Sequence, residues 1–361
     1  MTPYRKQKRI HFWRTATQRS VDQIIHGLYT PKFPINSTAR IATAGSCFAQ
    51  NVRAHLIEHK LQFLDVELPP PFLPEDRIKS YGYGLFSARF GNIYTTEQLH
   101  QLALRAFGEF ETNEPFWERG GRYFDPLRST IEPTGFVSID ESQSARSSHL
   151  HRVCRLFDQA DILIFTLGLT ETWLSRSDGT VFPLCPGVSS GEFDEAKYMF
   201  KNSSVADVVC GFERFRLLVK KRNPGLRFVL TVSPVALEAT ASQDNVIVAT
   251  TLSKSVLRSA AGQLHAAYDD VDYFPSYEIF TSPVFKSKYF KENMRDPTSE
   301  GVSLAMDLFF KSHGLSGDQP AEEVPAPDAA LDVAREQAQQ FEIQQQLICD
   351  EMLLAGENSN G

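Results

Sequence analysis

Apolar residues along this chain fall into two patterns. Short continuous runs end at glycine or at a serine–proline or proline–serine step: RIATA (40–44), DILIFTLG (161–168), LRFVLTVSPV (226–235) and DVDYFPSYEI (270–279). Runs of this length, bounded by turn residues, predict strands buried on both faces. Between them lie stretches with helical spacing. One follows Gly45, with Val52, Leu56 and Ile57 on one side. Another, 147–160, repeats at Leu150, Val153, Leu156 and Phe157, with serines placed to cap it. The others are 205–225, halted by Asn-Pro-Gly, 253–268, opened by Ser253, and 299–314, closed by Gly314. Strand–helix alternation predicts an α/β fold: a three-layer α/β/α domain with a mainly parallel sheet. Two β-hairpins interrupt it, at 115–124 with a Gly-Gly turn and at 173–184 with an Asp-Gly turn. They form a small cap from insertions near 109–135 and 173–200.

The ends of the chain read differently. Residues 1–36 form a basic arm with no apolar segment of a secretory signal. The domain spans 37–315. Residues 316–361 turn rich in Pro, Ala and acidic residues, then helical in composition, which suggests a linker and a helical tail able to dock a protein partner or self-associate. A net charge of −7 argues against a nucleic-acid binder. No apolar stretch approaches the roughly 20 residues that span a bilayer. The five cysteines show no Cys-x-x-Cys spacing, which fits a reducing cytoplasm and no metal or other cofactor. His55 and His59 lie four apart but lack the glutamate of a zinc-binding His-Glu-x-x-His.

In open α/β sheets ligands bind beyond the carboxyl ends of the strands. Four polar loops sit there: Gly45-Ser46, Gly168-Leu169-Thr170-Glu171, Ser233-Pro234 and Pro275-Ser276-Tyr277-Glu278. Ser46 closes a strand and opens a helix. It either caps that helix or attacks a carbonyl while helix amides hold the oxyanion. Cys47 competes as nucleophile, but one residue inside the helix it is expected to pack inward.

The segment TAGSCFAQNV (43–52) resembles the signature of the GSCFA family, and Gly45–Ala49 spell its name. SYGYGLFSARFGNIYT (80–95), FTLGLTETW (165–173), TVSPV (231–235), SKSVLR (253–258) and YFPSYEI (273–279) extend the resemblance over about residues 3–315. The family is grouped with the SGNH/GDSL hydrolases. That grouping implies Ser46 as nucleophile, its own amide as one oxyanion donor, and either Gly84 or Gly91 as the next, with Asn92 nearby. Gly168 and Thr170 match the third block, with threonine in place of the usual asparagine. The last block departs from the pattern: Asn293-Met294-Arg295-Asp296-Pro297 carries Asp296 where a histidine is expected. Some members carry a histidine just before the SKS helix, and this chain has none there.

No other histidine replaces it persuasively. His149 and His151 open their helix at the far end of the strands, His265 lies late in its own helix, and His100, His55 and His59 are remote. Lys254, at the start of the SKS helix, is the alternative base, because a buried lysine loses its proton more readily. Tyr277 and Glu278 would contact substrate or orient Lys254, Glu171 would orient a neighbour, and Trp173, Trp117 and Tyr123 could stack on a sugar. The expected function is a serine-dependent acyl esterase or acyltransferase on an acylated carbohydrate. The alternative is a glycan- or protein-binding module that has lost its base.

Overall fold

A computed structural model describes residues 2–315 apart from 19, 20, 26 and 60. The tail helix expected at 330–355 lies outside the described residues. The strands are β1 (Ile41–Gly45), the hairpin β2 (Trp117–Arg119) and β3 (Arg122–Phe124), then β4 (Ile162–Leu167), β5 (Glu171–Ser175), β6 (Val181–Phe182), β7 (Tyr198–Asn202), β8 (Arg227–Val232) and β9 (Val271–Tyr273). β1, β4, β8 and β9 pair in that order, all parallel, into the central sheet.

Alternation along the strands sorts the two faces. Ala42, Ala44, Leu163, Phe165, Phe228 and Leu230 join one core with Leu99, Val153, Phe212 and Leu257 from the helices Thr96–Ala106, Ile139–Gln159, Val205–Lys220 and Val246–Ala267. Ile41, Ile162, Ile164 and Val229 join the other with Phe48, Val52, Phe280 and Phe309 from Cys47–Glu58, Ser276–Thr281 and Ser299–Ser312. Both faces are thus covered by helices, in three α/β/α layers. Every residue of β1 and β4 is buried, which accounts for the unbroken apolar runs.

The chain leaves β1 through the Cys47–Glu58 helix and returns outside it, where Phe63 bridges Ile41 in parallel. The later strands of this sheet, β4, β8 and β9, step the other way. The order therefore reverses between β1 and β4, the switch point where ligands settle in open sheets. Farther along the outer edge of β1, Ser87 and Ile93 donate backbone N–H groups to Thr43 (3.3 Å) and Gly45 (2.9 Å).

Several helices begin earlier than their spacing suggests. The helix expected at 147–160 starts at Ile139, because Ser138 accepts from the Glu141 amide (3.1 Å). The helix expected at 253–268 starts at Val246, capped by the side chain of Asn245 (2.9 Å). Lys254 is therefore two turns inside that helix rather than at its start, and His149 and His151 are mid-helix. β7 pairs with β5 as a third strand beside the β5–β6 hairpin, and the Gly120-Gly121 turn closes β2–β3 with both glycines at positive φ. Ile25, Tyr29, Phe33 and Ile35 of the arm are buried in the second core, and Tyr29 donates to Asp272 (2.8 Å). No helix among the described residues is long and apolar enough to cross a membrane.

Candidate active site

β1 ends on Gly45 at φ +135°, paired with Thr166. The next residue, Ser46, is the N-cap of the Cys47–Glu58 helix by position, but its hydroxyl caps nothing. Oγ is buried and has no hydrogen-bond partner among the described residues. A buried unpaired hydroxyl costs about 1–3 kcal/mol. At a position where serine ordinarily offsets that cost by capping, it points to chemistry rather than to helix start.

Ser46 lines a small cavity with Cys47, Tyr94, Gly168, Ser233, Leu237 and Lys254. The β4 end brings Gly168 against Ser46 so closely that a Cβ at 168 would sit 3.2 Å from Ser46 Cβ and 2.9 Å from the Tyr94 ring. The Gly168 amide donates to the Tyr94 carbonyl (3.0 Å), and its carbonyl accepts from Lys254 Nζ (2.6 Å). Lys254 is only 3% exposed and Ser46 4%. Ser253, beside Lys254, accepts from the Thr170 amide (3.0 Å). Two adjacent residues of one helix thus fasten the turn after β4, and the second brings an amine to the Ser46 cavity.

The enclosed space is about 10 Å³, near the minimum that holds one water. Its roof is the stretch after β8. Leu237 donates its amide to Thr250 Oγ1 (3.2 Å), and Glu171 accepts from Thr240 Oγ1 (2.5 Å) and the Ala241 amide (3.2 Å). Arg295 forms an ion pair with Glu238 (3.0 Å). Glu171 and the 291–297 loop therefore tether the roof.

The other expected residues are placed elsewhere. The Ser46 amide, expected as an oxyanion donor, reaches the Thr166 carbonyl at 3.3 Å. The Thr170 hydroxyl donates to Asn202 Oδ1 (2.6 Å). Gly84 and Gly91 both have positive φ, facing Arg53 and Ile131, and neither lines the cavity; Asn92 is buried just before Ile93. Asp296 accepts from Asn293 Nδ2 (2.9 Å) and Arg295 Nη1 (3.1 Å) within its own loop. Glu278 is taken by Arg258 (2.6 Å) and Tyr273 (2.8 Å), and Trp173 packs on Phe193 and Phe200. Tyr277 packs partly buried against the first core. Trp117 is buried in the cap.

Cys47, expected to pack inward, is half-buried and lines the same cavity as Ser46. No histidine among the described residues lines that cavity. His149 lies deep in the protein with Nδ1 2.6 Å from Glu67, and His59 stacks on Phe310. Sequence reasoning missed Tyr94 and the roof residue Leu237, whose roles arise from contacts distant in the chain. No group of three or more His, Cys, Asp or Glu among the described residues could hold a metal ion.

A model of the GSCFA family matches residues 40–309. No curated protein and no solved structure matches the chain.

Proposed function

The chain belongs to the GSCFA family, and on that footing we propose that it is a serine-dependent acyl esterase or acyltransferase with Ser46 as nucleophile and Lys254 as proton acceptor. The observation that carries this reading is the uncapped, buried Ser46 hydroxyl sharing one cavity with a buried lysine. Ser–Lys pairs are a known variant of the serine nucleophile scheme. Ser46 Oγ attacks the ester carbonyl and its proton passes to Lys254 Nζ. The tetrahedral oxyanion collapses, and the alcohol leaves with that proton. Water, or the hydroxyl of an acceptor, then takes the acyl group from Ser46. The first turn of the Cys47–Glu58 helix offers partial positive charge to the oxyanion. We take acylated carbohydrate as the substrate class by analogy with the SGNH hydrolases, the grouping that the sequence motifs imply.

A binding role without turnover is the second reading. It is favoured by the Ser46 and Gly168 amides, which are both committed to backbone carbonyls rather than open to an oxyanion. Release of acetate from aryl acetates and acetylated sugars separates the two. We expect Ser46→Ala to lower the rate by about 10³-fold or more. Lys254→Met should lower kcat comparably, while Cys47→Ala stays active. Equal rates for wild type and Ser46→Ala, or activity lost only in Cys47→Ala, would sink the serine reading. Saturable sugar binding with no acetate release would establish the second.

A further inference from the structure

Away from Ser46, arginines gather around one buried aspartate. Asp125 accepts from Arg128 Nε (3.1 Å) and Arg146 Nε (3.2 Å). Arg105 approaches the same carboxylate, and burial, opposed by Asp125 and reinforced by Arg146 and Arg128, lowers its pKa to about 10, so it stays charged at neutral pH. Next to this group, Glu67 is bonded by His149 (2.6 Å) and lies 3.8 Å from Arg152. Arg89 is balanced by Glu132 (2.6 Å). Around the cavity, Arg105, Arg128 and Arg146 are met among the described residues by Asp125 and by Glu111, which lines the same cavity, so one positive charge remains in excess.

The hydrogen bonds show the same deficit. Arg105 Nε and Nη1 and Arg128 Nη2 are buried and find no acceptor among the described residues. Leaving such groups unpaired in a low-dielectric interior is costly unless an anion is drawn to them. Arg105 and Arg146 also line an open cavity of about 580 Å³ between the ends of the Thr96–Ala106 and Ile139–Gln159 helices. Phe107, Phe110 and Leu150 supply apolar wall, Gln143 and Ser147 supply polar rim, and Glu111 is the carboxylate of the lining. The volume suits a small organic molecule, and forked guanidiniums suit a phosphoryl head.

We propose that this cavity binds a small phosphorylated metabolite, with its phosphoryl dianion held by Arg105 and Arg146. Arg105 and Arg146 supply the positive side of the cavity, and Phe107 and Leu150 cover the organic body. The site is separate from Ser46 and does not depend on the reading of that residue.

Calorimetric titration of the full chain with inorganic phosphate and with glycerol 3-phosphate tests it, with glycerol and malonate as controls. Saturable binding is expected for both phosphates, tighter for the ester, and absent for glycerol. Ser147→Glu changes only an exposed rim residue, keeps the fold, and should weaken phosphate by about tenfold or more. Arg105→Met should abolish binding, whereas Ser46→Ala should bind as wild type. Absence of saturable phosphate binding to wild type, or unchanged binding in Ser147→Glu, would overturn the proposal. Binding of malonate without phosphate would overturn the phosphoryl assignment.

Discussion

Gly45→Ala is expected to destabilise the protein by about 4 kcal/mol or more, or to prevent folding. A Cβ at position 45 would lie 2.5 Å from the Thr166 carbonyl oxygen, 2.7 Å from its amide nitrogen and 2.8 Å from its Cβ. The first two are backbone atoms of β4 in the middle of the central sheet, so neither can swing aside. The φ of +135° adds strain for any residue with a Cβ. Relief would require β1 to part from β4, undoing a pairing that runs from Ile41 to Gly45. Gly168→Ala is the informative comparison. Its Cβ meets the Tyr94 ring at 2.9 Å and Ser46 Cβ at 3.2 Å, contacts that yield at about 1–3 kcal/mol. Urea denaturation should therefore place Gly45→Ala far below Gly168→Ala, with the latter folded and its Ser46 displaced. A Gly45→Ala protein within about 1 kcal/mol of wild type would contradict the geometry.

Stability should fall steeply as pH drops from 6.5 towards 4. His149 is wholly buried, and burial, helped by the charge of Arg128, depresses its pKa to about 4 against the pull of Glu67. The unfolded chain takes up that proton near 6.5 and the folded one only near 4, so each step down in pH between them favours unfolding. The difference is worth up to about 3 kcal/mol. Glu67 extends the loss. Burial raises it, but its bond to His149 and the charge of that ring, then Arg128 and the Arg89 amide, outweigh burial and bring it to about 2. Its contribution is present above 4.5 and disappears below. His313, likewise lowered to about 4 by burial, and His55 and His265 titrate in the same direction. The test is therefore a difference. His149→Gln keeps an amide donor for Glu67, and its plot of unfolding free energy against pH should be flatter than wild type between 6.5 and 4. Parallel plots would show that His149 is not what limits acid stability.

The central strands were legible because β1, β4 and β8 are covered on both sides and so read as unbroken apolar runs. The start of the Val246–Ala267 helix was not legible. Its first turns expose Ile247, Val248 and Leu252 to solvent, so helical spacing emerges only after Ser253. That shift put Lys254 at a helix start, whereas it lies two turns into the helix, buried with Nζ on the Gly168 carbonyl. The helix containing His149 was shortened for a similar reason: Asp140, Glu141, Gln143 and Ser144 of its first turns are polar and carry no apolar stripe. Ser46 could be singled out because nucleophile and strand end coincide in sequence. Tyr94, Arg105 and Arg146 could not, since each gains its surroundings from partners about 20 or more residues away.

The roof above Ser46 makes reaching this serine a matter of timing. The space beside Ser46 holds about one water, so a bulky acyl group needs the Ala236–Leu237 stretch or its neighbours to shift, and loop movements of this kind occupy microseconds to milliseconds. Lifting it loosens the Thr250 and Glu171 hydrogen bonds and the Arg295–Glu238 ion pair. The latch on that hinge is supplied by the same short loop that contains Asp296. In this chain, the segment where a proton carrier was sought instead ties down the stretch that lines the Ser46 cavity.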